Sequence, residues 1–106
     1  MVRAKYTVDE STHTLFVVGH ANYGEYGKDI VCAGVSALVQ ALIGWIEENY
    51  YKAECISVDA NAGEVLVSCE GGEDVAAVFY MAYLGLAQMA DSYPDHVQID
   101  IIGLAD

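Results

Sequence analysis

Two apolar stripes at helical spacing, set between runs of strand-like alternation, constrain this 106-residue chain more than anything else in it. In the first stripe Val31, Val35, Leu38, Val39, Leu42 and Ile46 recur at three- and four-residue steps. They trace one face of a helix expected from about Ile30 to Tyr50. Asp29 is its natural N-cap, because a carboxylate accepts hydrogen bonds from the free amides of a first turn. In the second stripe Val75, Val78, Phe79, Ala82, Leu86 and Met89 mark the buried face of another helix. Gly71-Gly72-Glu73-Asp74 opens that helix, with acids where its dipole favours them, and Pro94 stops it.

The remaining segments read as strands. Val2–Val8 alternates apolar and polar residues, and Asp9-Glu10-Ser11-Thr12 forms a turn. Thr14–His20 is a second strand, apolar on both faces. Cys55–Asp59 and Glu64–Glu70 make a hairpin through Ala60-Asn61-Ala62-Gly63, and His96–Ile102 is the last strand. The expected fold is α+β, with two helices packed on one face of a mostly antiparallel five-stranded sheet in the order β-β-α-β-β-α-β. No linker or repeat divides residues 1–106, so one domain is expected. Two helices cover one sheet face only, yet Leu15-Phe16-Val17-Val18 and Val65-Leu66-Val67 are apolar on both sides. A homodimer is the simplest cover for the second face.

Charge narrows the partners. The chain has 16 acids and 4 bases, a formal charge of −12. Residues 1–52 hold six of the acids and all the bases, whereas residues 53–106 hold ten acids and neither Lys nor Arg. Such a surface repels phosphate backbones and anionic lipids and attracts a cationic protein segment. Direct nucleic-acid binding is therefore not expected. Nor is a membrane span, since the apolar stretches Ile30–Ile46 and Val75–Ala90 fall short of the ~20 residues one needs. With no signal-peptide pattern at the N-terminus, a cytoplasmic location is expected.

Three cysteines, Cys32, Cys55 and Cys69, match neither a disulfide framework nor a zinc spacing. No metal or other cofactor is expected. Cys32 differs from the other two by position. With Asp29 as cap it falls at the third helical position, where free amides and the positive dipole end stabilise a thiolate. His20 stands at a strand end, across a glycine-containing loop (Ala21–Lys28) suited to opening and closing over a substrate. Within reach of each other, the two side chains would make an activated Cys–His pair. The structural alternative stays open on these residues alone: a cysteine among Val, Leu and Ala is often a small core residue. Cys55 and Cys69 read as sheet or core residues, and His13 and His96 as solvated ones. A non-catalytic, acidic, dimeric module binding a basic protein segment fits the same charge and fold.

Gly19-His20-Ala21, the loop, and Gly27-x-Asp29-Ile30-Val31-Cys32-Ala33-x-Val35-Ser36 closely resemble the ribosomal-processing cysteine protease family, Prp, of Firmicutes and related bacteria. The match is strong over about residues 19–38 and departs from the family pattern at Gly34, which is usually Ala. The resemblance implies a homodimeric cytoplasmic endopeptidase. Its substrate would be a basic large-subunit ribosomal protein, number twenty-seven, whose short N-terminal extension is removed during ribosome assembly. It implies Cys32 as nucleophile and His20 as general base, with Asp29 and Ser36 in support. Tyr23, Gly24, Tyr26 and Gly27 would form the loop over the substrate. Amides at the start of the helix are the expected oxyanion donors.

Overall fold

A computed structural model describes residues 1–25, 28–49, 55–59 and 63–103; over 55–59 it describes the backbone only. The elements are β1 (Val2–Asp9), β2 (Thr12–Val18), α1 (Ile30–Asn49), β3 (Cys55–Asp59), β4 (Glu64–Glu70), α2 (Glu73–Ser92) and β5 (Val97–Ile102). The α+β class holds, and the sheet needs correcting. It is mixed rather than mostly antiparallel, and the part with described side chains is four-stranded, β4-β2-β1-β5. β1 pairs antiparallel with β2, and β2 with β4, whereas β5 lies parallel to β1. The backbone of β3 runs antiparallel along β4 at the outer edge.

The parallel pair has a simple cause. A helix returns the chain to the end of the sheet it came from, so the strand after it repeats the direction of the strand before it. β4 runs like β1, two antiparallel steps away. β5 follows α2, repeats the direction of β4, and docks at the far edge beside β1. Hairpin patterns in a sequence carry no sign of that crossover.

Register fixes which face is buried. Ala4 pairs with Val17, Tyr6 with Leu15, and Leu15 in turn with Val67, all facing the helices. Val31, Val35, Val39, Leu42 and Ile46 of α1 and Val75, Phe79, Ala82 and Leu86 of α2 close over them. The helices approach each other where side chains are missing. A Cβ on Gly85 would lie 2.6 Å from Leu38 Cδ2, and one on Gly34 would lie 2.8 Å from Met89 Cε. The departure at Gly34 therefore sits against a flexible methionine tip, on the flank away from the cavity described below.

Two further expectations change here. α1 is 20 residues long and apolar enough, by length and composition, to cross a membrane, longer than the stretch read from the sequence. Its Val31–Ile46 stripe is nevertheless part of the core. The strand patterns apolar on both sides resolve into a buried face and an open one. Phe16 and Ile102 are exposed on the open face, beside Arg3, Lys5 and the hydrogen-bonded pair Thr14–Ser68.

Candidate active site

The site is built around the start of α1. One oxygen of Asp29, Oδ1, accepts the N–H groups of Val31 (3.0 Å) and Cys32 (2.9 Å). The other, Oδ2, accepts those of Tyr23 (2.9 Å) and Gly24 (3.2 Å). A single carboxylate thus caps the helix and ties the preceding loop to it. Partial desolvation pushes the Asp29 carboxyl up, but the hydrogen bonds from Cys32, Gly24, Tyr23 and Val31 outweigh it and hold the group below its ordinary value of 3.8.

Cys32 is half-buried, and its Sγ accepts a hydrogen bond from the Ala21 N–H at 3.4 Å. Three first-turn amides are committed elsewhere: Val31 and Cys32 to Asp29 Oδ1, and Ala33 to the Asp29 carbonyl. Of the candidate oxyanion donors at the helix start, those of Val31, Cys32 and Ala33 are therefore engaged within the cap and the helix. The N–H group that points at the sulfur comes from the loop.

His20 follows β2 and is exposed. Gly19 precedes it at φ +101°, where a Cβ would collide with the Met1 carbonyl, and its N–H donates to the Gly63 carbonyl at 2.9 Å. Gly63, at φ +65°, would place a Cβ 2.8 Å from His20 Nε2. Only glycine leaves room for the imidazole over this turn. His20 and Cys32 line one cavity of about 280 Å³. Val35, Ser36, Val39, Gln40 and Ile43 of α1 form one wall, and Val2, Val17 and Gly63–Val65 the other. Among the described residues no hydrogen bond joins the Cys32 and His20 side chains.

Tyr23 and Gly24 enter through their amides, and the Tyr23 ring packs edge-on against Tyr93 and His96, each at 5.2 Å. Tyr26 and Gly27 lie outside the described residues, as do the side chain of Cys55 and residues 60–62 of the expected hairpin turn. Neither of the histidines expected to be solvated is free in water. His13 is 5% exposed in the core, its Nδ1 2.7 Å from the Tyr6 hydroxyl. The His96 Nδ1 donates to the Ala21 carbonyl at 2.8 Å. Gly63 and His96 are the site-shaping residues that sequence reasoning missed. Gly63 carried a turn signal that did not point to His20, and His96 carried no local signal.

The model of the cysteine protease Prp family matches residues 1–98. The chain belongs to the cysteine protease Prp family. It is a cysteine protease. The ribosomal processing cysteine protease Prp of Mycoplasma genitalium is 31% identical over 93 residues, covering 88% of this chain and 92% of that protein. That of Staphylococcus aureus strain Mu50 is 32% identical over 108 residues, covering 94% and 98%. The crystal structure of the ribosomal processing protease Prp from S. aureus with a covalently linked product peptide superposes with a TM-score of 0.84. It is 25% identical and covers 95% of this chain and 99% of that one. Membership of Prp displaces the non-catalytic binding module as a reading of the chain.

Proposed function

We propose that this Prp member cuts the N-terminal extension from the basic large-subunit ribosomal protein number twenty-seven, with Cys32 as nucleophile and His20 as general base. The observation that carries this reading is the shared cavity. A thiol at a helix start, met by a loop amide, opens onto the same apolar recess as an exposed imidazole. A peptide substrate is supported by the S. aureus relative, which was solved with a covalently linked product peptide.

In the proposed reaction His20 takes the Cys32 proton, and the thiolate sulfur attacks the scissile carbonyl carbon to form a C–S bond. As the tetrahedral species collapses, the C–N bond breaks and His20 gives its proton to the leaving amine. Water, deprotonated by His20, then attacks the thioester carbon and the C–S bond breaks, restoring the thiol. The Ala21 N–H and the dipole of α1 offset the negative charge on sulfur. Ser36, lining the cavity on the same side of α1, is a polar contact for the peptide backbone.

The finer reading includes a cytoplasmic homodimer of single-domain chains whose open sheet face, with Phe16 and Ile102, is covered by the second copy. The net charge of −12 draws in the basic substrate. Incubation with a peptide spanning the processing site, beside Cys32→Ala and His20→Ala, tests the chemistry. Cleavage by the unmodified protein alone is expected; cleavage that persists in Cys32→Ala would remove the nucleophile. Sedimentation at micromolar concentration tests the dimer, and a monomer mass would contradict it.

A further inference from the structure

We infer that His96 is a positioning residue for the thiol site, acting through the main chain of Ala21. His96 belongs to the turn before β5 and lies 75 residues along the chain from Ala21, which directly follows His20. Its ring holds the Ala21 carbonyl, and the N–H of the same residue meets Cys32 Sγ. A carbonyl only accepts, so Nδ1 carries a proton and the bond survives in both charge states of the ring. Residues 21–24 are thereby held from two sides, by the ring at Ala21 and by the Asp29 carboxylate at Tyr23 and Gly24.

The ring stands on a fixed post. The His96 N–H donates to the Tyr93 carbonyl at 2.9 Å, and its own carbonyl accepts the Val2 N–H at 2.8 Å. Val2 lines the cavity opposite α1. One residue therefore braces both the loop that aims an amide at sulfur and the strand start that walls the recess. Tyr23 packs edge-on against the ring at 5.2 Å. The carbonyl and the N–H of Ala21 belong to successive peptide units joined at its Cα, so if Ala21 swings away from His96, sulfur loses its N–H partner and His20, the preceding residue, shifts with it. Displacements on this scale at a reacting centre cost large factors in rate. The inference rests on the protease reading for its catalytic consequence and on geometry for its effect on the thiol.

Two substitutions separate the donor from the ring. His96→Phe keeps an aromatic partner for Tyr23 and removes the N–H. His96→Asn places an amide N–H close to the position of Nδ1. The rate of Cys32 alkylation by iodoacetamide at neutral pH is read by peptide mass spectrometry, with buried Cys69 as the reporter of unfolding. His96→Phe is expected to slow Cys32 alkylation by about tenfold and to lower kcat on the extension peptide with KM within about twofold, whereas His96→Asn restores both to within about threefold. Wild-type rates in His96→Phe, or a His96→Asn variant as slow as His96→Phe, would overturn the inference. Should His96→Phe expose Cys69, His96→Asn decides alone: near-wild-type alkylation and kcat support the donor role, and loss of either with Cys69 still protected overturns it. Alkylation needs no substrate. A wild-type protein that leaves the peptide intact while its thiol still depends on His96 would sink the substrate assignment and leave this inference standing.

Discussion

Among the described residues a cysteine stands near a histidine in two places, and they have opposite characters. In the sheet, Cys69 of β4 sits directly across from His13 of β2, at 1% and 5% exposure. At the start of α1, Cys32 shares a cavity with exposed His20. The sheet pair is sealed and its groups are engaged in the core: His13 Nδ1 bonds the Tyr6 hydroxyl, and the Cys69 thiol lies 3.7 Å from the Glu70 carbonyl. The pair at the helix start has an amide aimed at sulfur, a helix dipole behind it and room for a substrate. The two pairs share residue types and differ in access and in the surround of the sulfur, and on that difference the proposed nucleophile role of Cys32 rests.

The largest expected effect is on activity. Cys32→Ala abolishes cleavage and His20→Ala lowers kcat/KM by roughly a thousandfold, while Cys69→Ala leaves kcat/KM within about twofold. A Cys69 variant as dead as Cys32→Ala would break the comparison. Reactivity should follow. In the folded protein iodoacetamide modifies Cys32 on the order of a hundredfold faster than Cys69, because a buried thiol in apolar surroundings is inert. Equal rates, read by peptide mass spectrometry, would contradict this.

Asp29 sharpens the comparison at the Cys32 end. Asp29→Ala frees the amides of Tyr23, Gly24, Val31 and Cys32 together, and kcat/KM should fall by roughly tenfold or more. Because its carboxyl is held below 3.8, the stabilisation it provides is complete above the ordinary carboxylate range. It is lost as pH falls through the lowered value. The Tm gap between wild type and Asp29→Asn should accordingly be flat from pH 8 to 5 and close below pH 4. A gap that widens in acid would reverse the sign and contradict the cap.

The sheet pair should announce itself in stability. Burial holds His13 below its ordinary value of 6.5 and raises the Tyr6 hydroxyl to about 12. A histidine kept neutral in the fold stabilises it fully above pH 6.5, and that contribution disappears as pH falls through the lowered value. Thermal melts from pH 8 to 5 should show a decline that is absent from His13→Phe. Tyr6→Phe, which removes only the hydroxyl, should cost about 1 kcal/mol, the smallest of these effects. A pH-independent wild type would remove the buried-histidine account.

Much of this was legible in the chain itself. The stripes from Val31 to Ile46 and from Val75 to Leu86 reappear as the buried faces of α1 and α2, and the Asp29 cap stands where its spacing put it. Local pattern has reach over a helical turn or a hairpin, and these features lie within it. What it misses is set by distant partners. The parallel docking of β5 on β1 depends on where α2 delivers the chain, and the two misread histidines depend on partners at other positions. His13 faces Tyr6 across a strand pair, and His96 meets Ala21 from the other end of the sequence. The commitment of the first-turn amides was hidden for a different reason. An N-cap carboxylate has two oxygens, and only the fold shows that one serves the helix while the other serves the loop.

The central claim is that Cys32 forms the bond to the substrate's acyl carbon. The most direct measurement is acid-quenched mass spectrometry during cleavage of the extension peptide. A transient adduct should appear with the mass of the N-terminal fragment joined as a thioester, should map to Cys32, and should decay as free fragment accumulates. Steady cleavage with no adduct at Cys32, together with undiminished turnover by Cys32→Ala, would contradict it.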